Sequence, residues 1–118
     1  MYGVPADLDL SFLVGQELQQ ICLGPYDIQF HFDRGGDVSS TGEWLLLDHQ
    51  GLVIDRRQEN AERSEYRIHR LLHKKIVSTR IDAPASFDLV FDDGHALRFV
   101  DADPQFESVT IWPAGVII

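Results

Sequence analysis

Glu65, His69 and His73 have side chains and a spacing that could bind a metal ion, since successive members stand four residues apart. On a helix, residues at this spacing project from one face. Imidazole and carboxylate groups are zinc ligands, and a catalytic zinc site needs three of them and an open position. The sequence cannot place a further ligand beside these three. A small metal-dependent hydrolytic enzyme is therefore one hypothesis, and a solvated helix face is the simpler interpretation.

The other polar residues form no catalytic signature. No serine lies in a Gly-x-Ser-x-Gly pattern, no glycine loop that could hold a phosphate opens a helix, and the aspartates lack the alternation of an EF-hand. The 19 acidic residues offer so many pairs that none can be nominated for paired-carboxylate hydrolysis. We therefore expect no cofactor and do not favour an enzyme.

Cysteine usage and the N-terminal residues indicate a compartment. Cys22 is the only cysteine, which excludes an intrachain disulfide and fits a reducing environment. Residues 1–9 have neither the basic region nor the apolar core of a signal peptide, and no stretch has the ~20 apolar residues of a membrane span. We expect a cytoplasmic protein without membrane contact.

Three aromatic residues, Tyr26, Trp44 and Trp112, are candidate interaction residues. An aromatic side chain that faces solvent beside an apolar patch is typical of a binding hot spot, and the alternative is a place in the core. The chain also ends on an apolar run, residues 115–118. Such a tail must be buried within a sheet or against another subunit, and the second possibility leads us to expect a homodimer.

Charge is segregated along the chain. Eight of the ten Lys and Arg residues lie in the segment 56–80, which carries +5, while the rest of the chain carries −14. The basic segment raises the hypothesis of nucleic-acid binding through a basic helix. A chain with a pI near 4.7 would repel a polyanion over most of its surface. The strongly acidic remainder instead favours a basic protein partner, because complementary fields accelerate association.

The two halves of the chain match at an offset of 59 residues. The match includes turn-forming residues, which are less expected by chance than apolar ones: Pro25 with Pro84, Asp33 with Asp92, and Gly35 with Gly94. Between these turns, apolar and polar residues alternate with the period of half-buried strands. We therefore predict a single domain over 1–118 that contains an internal duplication, with related halves at about 13–55 and 72–118.

One segment has helical rather than strand periodicity. Between about residues 60 and 73, apolar side chains recur every three or four positions. We predict an amphipathic helix there that joins the halves. The predicted fold class is α+β: two related antiparallel β-meanders that form a sandwich or a partly open barrel, with this helix across it.

The segment 15–33, which contains the turn Gly24-Pro25-Tyr26, and the following Gly42-Glu-Trp-Leu-Leu-Leu-Asp48 resemble a group of short bacterial proteins that form a domain of unknown function. In that group a Gly-Pro-Tyr turn precedes an aromatic strand, and the second half repeats the pattern. The resemblance implies companions of toxin or secretion systems, but it carries no catalytic residue. Together with the charge, it favours a non-enzymatic protein-interaction module, an immunity or adaptor protein that binds a basic partner through an acidic surface.

Overall fold

Two five-stranded antiparallel sheets make up the fold, as described by a computed structural model for residues 3–57, 66–101, 108–113 and 115–118. The first sheet has the order β1-β2-β3-β9-β10. Its strands are β1 (Leu18–Leu23), β2 (Ile28–Phe32), β3 (Asp37–Ser40), β9 (Val109–Trp112) and β10 (Val116–Ile117). The second sheet has the order β5-β4-β8-β7-β6. Its strands are β4 (Glu43–Leu47), β5 (Val53–Arg56), β6 (Ile76–Asp82), β7 (Ser86–Phe91) and β8 (Ala96–Val100).

The predicted amphipathic helix, and with it the α+β class, is wrong. Within the described part of the chain the helical segments are two 3-10 turns, η1 (Ser11–Leu13) and η2 (Ile68–Leu71). Ile68 and Leu71 are buried, so the apolar spacing that suggested a helix is used by a single tight turn. The first part of the predicted helix, residues 60–65, lies outside the described residues. The predicted pair of antiparallel β-meanders is present, as β1-β2-β3 and β6-β7-β8.

Both halves of the chain have the same sequence of elements: a 3-10 turn, a three-stranded meander and a hairpin. Strand pairing aligns Leu18 with Ile76, 58 positions on, and Phe32 with Phe91, 59 positions on. The paired residues Leu23 and Ile28 correspond to Ile81 and Phe87, and the second pair encloses one residue more. The first strands are therefore shifted by one relative to the uniform offset of 59. The arrangement is pseudo-symmetric, and its origin by duplication stays a prediction.

The halves exchange their hairpins. The β4–β5 hairpin follows the first meander in the chain, but β4 pairs with β8 of the second sheet. In the same way, the β9–β10 hairpin follows the second meander and pairs through β9 with β3 of the first sheet. Each sheet therefore contains strands from both halves.

A short ladder next to the two meanders also joins the halves symmetrically. The N–H of Gly15 donates to the carbonyl of Ile76 (2.7 Å), and the N–H of His73 donates to the carbonyl of Leu18 (2.9 Å). Gly15 and His73 occupy corresponding positions and both have a positive φ, 90° and 70°. Glycine tolerates this conformation without cost, whereas a side chain such as that of His73 adopts it less readily.

The inner faces of both sheets contribute to one hydrophobic core. Phe30 of the first sheet meets Phe99 of the second edge-to-face, with ring centroids 5.7 Å apart, and Phe99 stacks on Phe87 at 5.1 Å. Complete burial of each such ring contributes on the order of 1.5–3 kcal/mol. The C-terminal Ile118 is fully buried in this core and pairs with Val109. The last residue of the apolar tail is thus covered by its own chain, whereas Ile117 is 42% exposed, and the homodimer stays a prediction.

Candidate binding surfaces

The outer face of the second sheet carries a row of charged side chains. Adjacent strands pair Arg80 with Asp88, Asp88 with Arg98, Arg98 with Leu45, and Leu45 with Arg56. Because side chains alternate along a strand, these five point away from the core that Phe87 and its neighbours fill. Three guanidinium groups therefore share one sheet face with the central carboxylate of Asp88. Asp82 of β6 and Glu43 of β4 lie on the same face, two positions from Arg80 and Leu45.

Asp88 is almost completely buried, with 6% of its side chain exposed, because two arginines cover it. The Nε and Nη2 groups of Arg98 donate to its two oxygens at 2.8 and 3.1 Å, the bidentate geometry that suits a guanidinium and a carboxylate. Arg80 Nη2 lies 3.3 Å from Asp88 Oδ2. The hydrogen bond to Asp88 raises the pKa of Arg98, so its positive charge persists.

An open groove of about 430 Å³ adjoins this row. We call it the arginine groove. Arg80 and Arg98 line one side, and Leu47, Val90 and Ala96 form an apolar floor. The β4–β5 loop, residues 48–51, forms the opposite wall.

Two local features hold that wall in place. Asp48 Oδ1 accepts hydrogen bonds from the N–H groups of Gln50 and Leu52, both at 2.9 Å. The bond from Leu52 is the main reason that the pKa of Asp48 is lowered. On the other side, Gly94 lets the β7–β8 turn approach the loop, because a Cβ there would lie 3.0 Å from the Cβ of His49.

A second surface surrounds the β1–β2 turn. Tyr26 is 76% exposed and Leu23 is 50% exposed, whereas Trp44 beneath them is buried. The ring of Trp44 contacts that of Tyr66 at a centroid distance of 5.4 Å. Trp44 is therefore a core residue and not an interaction residue. Tyr26 is the aromatic residue that this turn exposes to solvent.

The third aromatic candidate, Trp112, lies on the outer face of the first sheet and is 51% exposed. Its partner across the ladder is Asp37 of β3. Asp37 Oδ1 and His31 Nδ1 lie 2.7 Å apart, within hydrogen-bond distance. Trp112 thus lies beside polar side chains, in contrast to the turn around Tyr26.

The structure describes two of the three residues of the predicted metal stripe. Glu65 lies outside the described residues, and His69 and His73 are exposed on and after the η2 turn rather than on one helix face. His73 Nδ1 lies 3.8 Å from Glu17 Oε2. Among the residues that the structure describes, no group of three His, Cys, Asp or Glu side chains could hold a metal ion.

In the described residues of the basic segment, 56–57 and 66–80, the helical part is the η2 turn and not the longer basic helix that the nucleic-acid hypothesis required. Arg56 lies on β5 and Arg80 on β6, at opposite edges of the second sheet, while Arg67 and Arg70 lie at the η2 turn. In the described part of the chain, no helix is long and apolar enough to cross a membrane.

Sequence reasoning missed Arg98 and Asp88 as site residues, although a signal was present. The turn around Asp93 sets the register of the β7–β8 hairpin, and that register places Asp88 opposite Arg98. A cation that faces a carboxylate across a hairpin, on the face opposite the aromatic residues, indicates a paired outer surface.

Comparisons with known proteins found no family model, no curated protein and no solved structure that matches this chain. The resemblance noted in the sequence stays a prediction.

Proposed function

We propose that this chain is a non-enzymatic protein-interaction module, of the adaptor or immunity type, which binds a basic protein partner and uses Tyr26 as its anchor. The observation that carries the proposal is the 76% exposure of the Tyr26 side chain beside the half-exposed Leu23. Tyrosine is among the residues that dominate binding hot spots, since a partner can desolvate its large ring at a small cost in conformational entropy.

The opposite turn of the pseudo-symmetric fold supports this interpretation. Counted back from the equivalent residues Ile28 and Phe87, Tyr26 corresponds to Ala85, which is also exposed. The framework therefore does not need an aromatic residue at this position. An exposed tyrosine that contributes little to the core is better explained by a contact with another molecule.

The charge of the chain supports a basic partner. The net charge is −9, and a negative field steers a positively charged protein toward the surface before contacts form. The depression beside Tyr26 is lined by one acid, Asp27, and one base, Arg57. The long-range attraction thus comes from the whole chain, and the specificity comes from the aromatic contact.

The experiment uses the purified chain as bait in a lysate of its source cells, at low and at high salt. Three baits are compared: the wild type, Tyr26→Ala, and the control Val77→Ala, which truncates an apolar side chain of 52% exposure at another place. We expect a basic protein that the wild type and Val77→Ala retain at low salt and release at high salt.

The retained protein is then produced and titrated against all three chains. We expect Tyr26→Ala to weaken its binding at least tenfold, the usual effect of a hot-spot residue. Equal binding by Tyr26→Ala and the wild type would refute Tyr26 as the anchor. An acidic partner, or binding that does not depend on salt, would refute the electrostatic part.

A further inference from the structure

We propose that the arginine groove binds a small organic acid, whose carboxylate lies against Arg80 and Arg98 and whose apolar body lies along Leu47, Val90 and Ala96. This site is separate from the Tyr26 surface, and the proposal does not depend on the protein-interaction function.

The size of the groove suits a small molecule. Its volume of about 430 Å³ is within the range of roughly 300–1,000 Å³ that is typical of ligand pockets. The β4–β5 loop rises on one side and the two arginines on the other, so the groove has walls as well as a floor. A concave apolar surface with a few convergent polar groups is the usual form of such a site.

Hydrogen-bond donors remain available on both arginines. Asp88 occupies Nε and Nη2 of Arg98 and lies near Nη2 of Arg80. Within the described residues, no acceptor is assigned to Nη1 of either arginine. Their side chains are 38% and 63% exposed, so a ligand can reach these donors from the groove.

The buried carboxylate makes the pair a prepared anion site. Asp88 lies between the two arginines, and Asp82 of β6 adds a weaker attraction to Arg98. A ligand therefore binds through the donors that Asp88 does not use. Asp88 also holds Arg98 in one geometry through two hydrogen bonds, which reduces the side-chain entropy that a ligand would otherwise have to overcome. Asp48 also lines the groove on the opposite wall. Its Oδ1 accepts two N–H bonds from its own loop, which offset part of its negative charge, and the ligand carboxylate binds on the arginine side.

The floor argues for an organic acid rather than for a bare inorganic anion. Leu47 and Ala96 are only 4% and 2% exposed and Val90 is partly exposed, so the floor has little apolar area left to bury. Its side chains offer no hydrogen bonds to replace the water around a bare anion, which favours a ligand with an apolar body there. A ligand with a carboxylate at one end and a short hydrocarbon or ring at the other matches both parts of the groove.

The test measures dissociation constants by ligand-observed NMR with three probes: 3-phenylpropionate, its neutral amide 3-phenylpropanamide, and inorganic phosphate. We expect 3-phenylpropionate to bind at least tenfold more tightly than either of the others. Equal binding of the amide would refute the role of the arginines. Equal binding of phosphate would refute the role of the floor.

Variants then locate the site. Arg80→Gln is expected to weaken 3-phenylpropionate at least fivefold, and it leaves the bidentate Arg98–Asp88 pair intact. Ala96→Leu fills the floor while both arginines remain, and we expect binding to be lost. The control Arg34→Gln removes the same charge from an exposed turn on the first sheet and should change the dissociation constant less than twofold.

Circular dichroism and the unfolding midpoint of each variant confirm that it is folded before its binding is interpreted. If Arg34→Gln weakened binding as much as Arg80→Gln, the effect would be one of net charge and the groove would be refuted. Unchanged binding by folded Ala96→Leu would likewise refute the groove as the site.

Discussion

The outer faces of the two sheets occupy equivalent places in a pseudo-symmetric fold and differ in almost every side chain. On the second sheet the central row runs Arg80, Asp88, Arg98, Leu45, Arg56. The corresponding row on the first sheet runs Cys22, Gln29, Ser39, Thr110, Ile117. The backbone framework is shared, so the difference shows which positions the fold leaves free to acquire a function.

The loops differ as well as the side chains. The β4–β5 connection spans residues 48–52, whereas β9 and β10 are joined by residues 113–115. Only the longer connection has the Asp48 carboxylate that organises it into a wall. Both the charged row and the wall are needed for a groove, and the second sheet has both.

The inner faces also differ at corresponding positions, in volume and in polarity. At one end of the core, Phe99 of β8 lies where the first sheet has Ser40, which is also buried. The Oγ of Ser40 accepts a hydrogen bond from the N–H of Gly42 at 3.0 Å. A large ring in one sheet thus corresponds to a small polar residue in the other, and the core is filled without symmetry.

The largest loss of stability is expected from truncating Phe99, the larger residue of this asymmetric pair. Phe99→Ala should lower the free energy of unfolding by about 3–5 kcal/mol, because it removes a ring that contacts both Phe30 and Phe87. Ser40→Ala should cost about 1 kcal/mol, the usual value of one hydrogen bond. Guanidinium chloride unfolding of both variants measures the contrast, and equal losses would mean that the two positions are packed alike.

The next effect concerns the charged row. Asp88→Ala leaves Arg98 and Arg80 without their shared carboxylate, and we expect a loss of about 2–3 kcal/mol in the free energy of unfolding, since hydrogen bonds between charged groups are involved. Both arginines can turn toward water, which keeps the loss below that of a fully buried pair. Gln29→Ala on the first sheet should cost less than about 1 kcal/mol. If Gln29→Ala lowered the free energy of unfolding as much as Asp88→Ala, the two outer faces would not differ as described.

The two hairpin glycines give a matched comparison of the turns. Gly35 and Gly94 both have a φ near 90°, so alanine at either position is strained by about 1 kcal/mol. Gly94→Ala also meets His49, whereas no atom lies within 4 Å of a Cβ at Gly35. We expect Gly94→Ala to be the more destabilising by about 1 kcal/mol, and thermal unfolding would measure it. Equal losses of stability for the two variants would show that the β7–β8 turn is not in close contact with the β4–β5 loop.

The smallest effect is the pH dependence of the loop. The folded pKa of Asp48 lies below its ordinary value of 3.8. Its hydrogen bonds therefore stabilise the loop at pH values above that ordinary value, and this contribution is lost as the pH falls through the lowered pKa. An NMR titration should show the amides of Gln50 and Leu52 shifting with a midpoint below 3.8. A midpoint at or above that value would contradict the assigned hydrogen bonds.

The strands could be predicted from the sequence because their signal is local. Ile28, Phe30 and Phe32 alternate with polar residues, and turns rich in proline, aspartate and glycine separate the strands. The helix was predicted wrongly because Ile68 and Leu71 have helical spacing, and a 3-10 turn buries the same two residues. Local periodicity does not distinguish one tight turn from the start of a helix.

Two features could not be predicted from the sequence: the exchange of hairpins between the sheets and the arginine groove. Pairing of β4 with β8 joins residues about fifty positions apart, and no local pattern specifies that choice. The Asp88–Arg98 pair could have been found from the hairpin register. Its neighbour Arg80 could also be placed across β7, but the wall of the groove depends on where the β4–β5 loop lies in space.

One measurement compares both faces directly: the backbone amide spectrum of the uniformly ¹⁵N-labelled wild-type chain, titrated with 3-phenylpropionate. We expect saturable shifts at residues 48–51 and 94–98 on the second sheet and none at Gln29, Ser39 or Thr110 on the first. Shifts of equal size on the two faces, or shifts confined to the first sheet, would contradict the assignment of the ligand site to the face on which the halves differ.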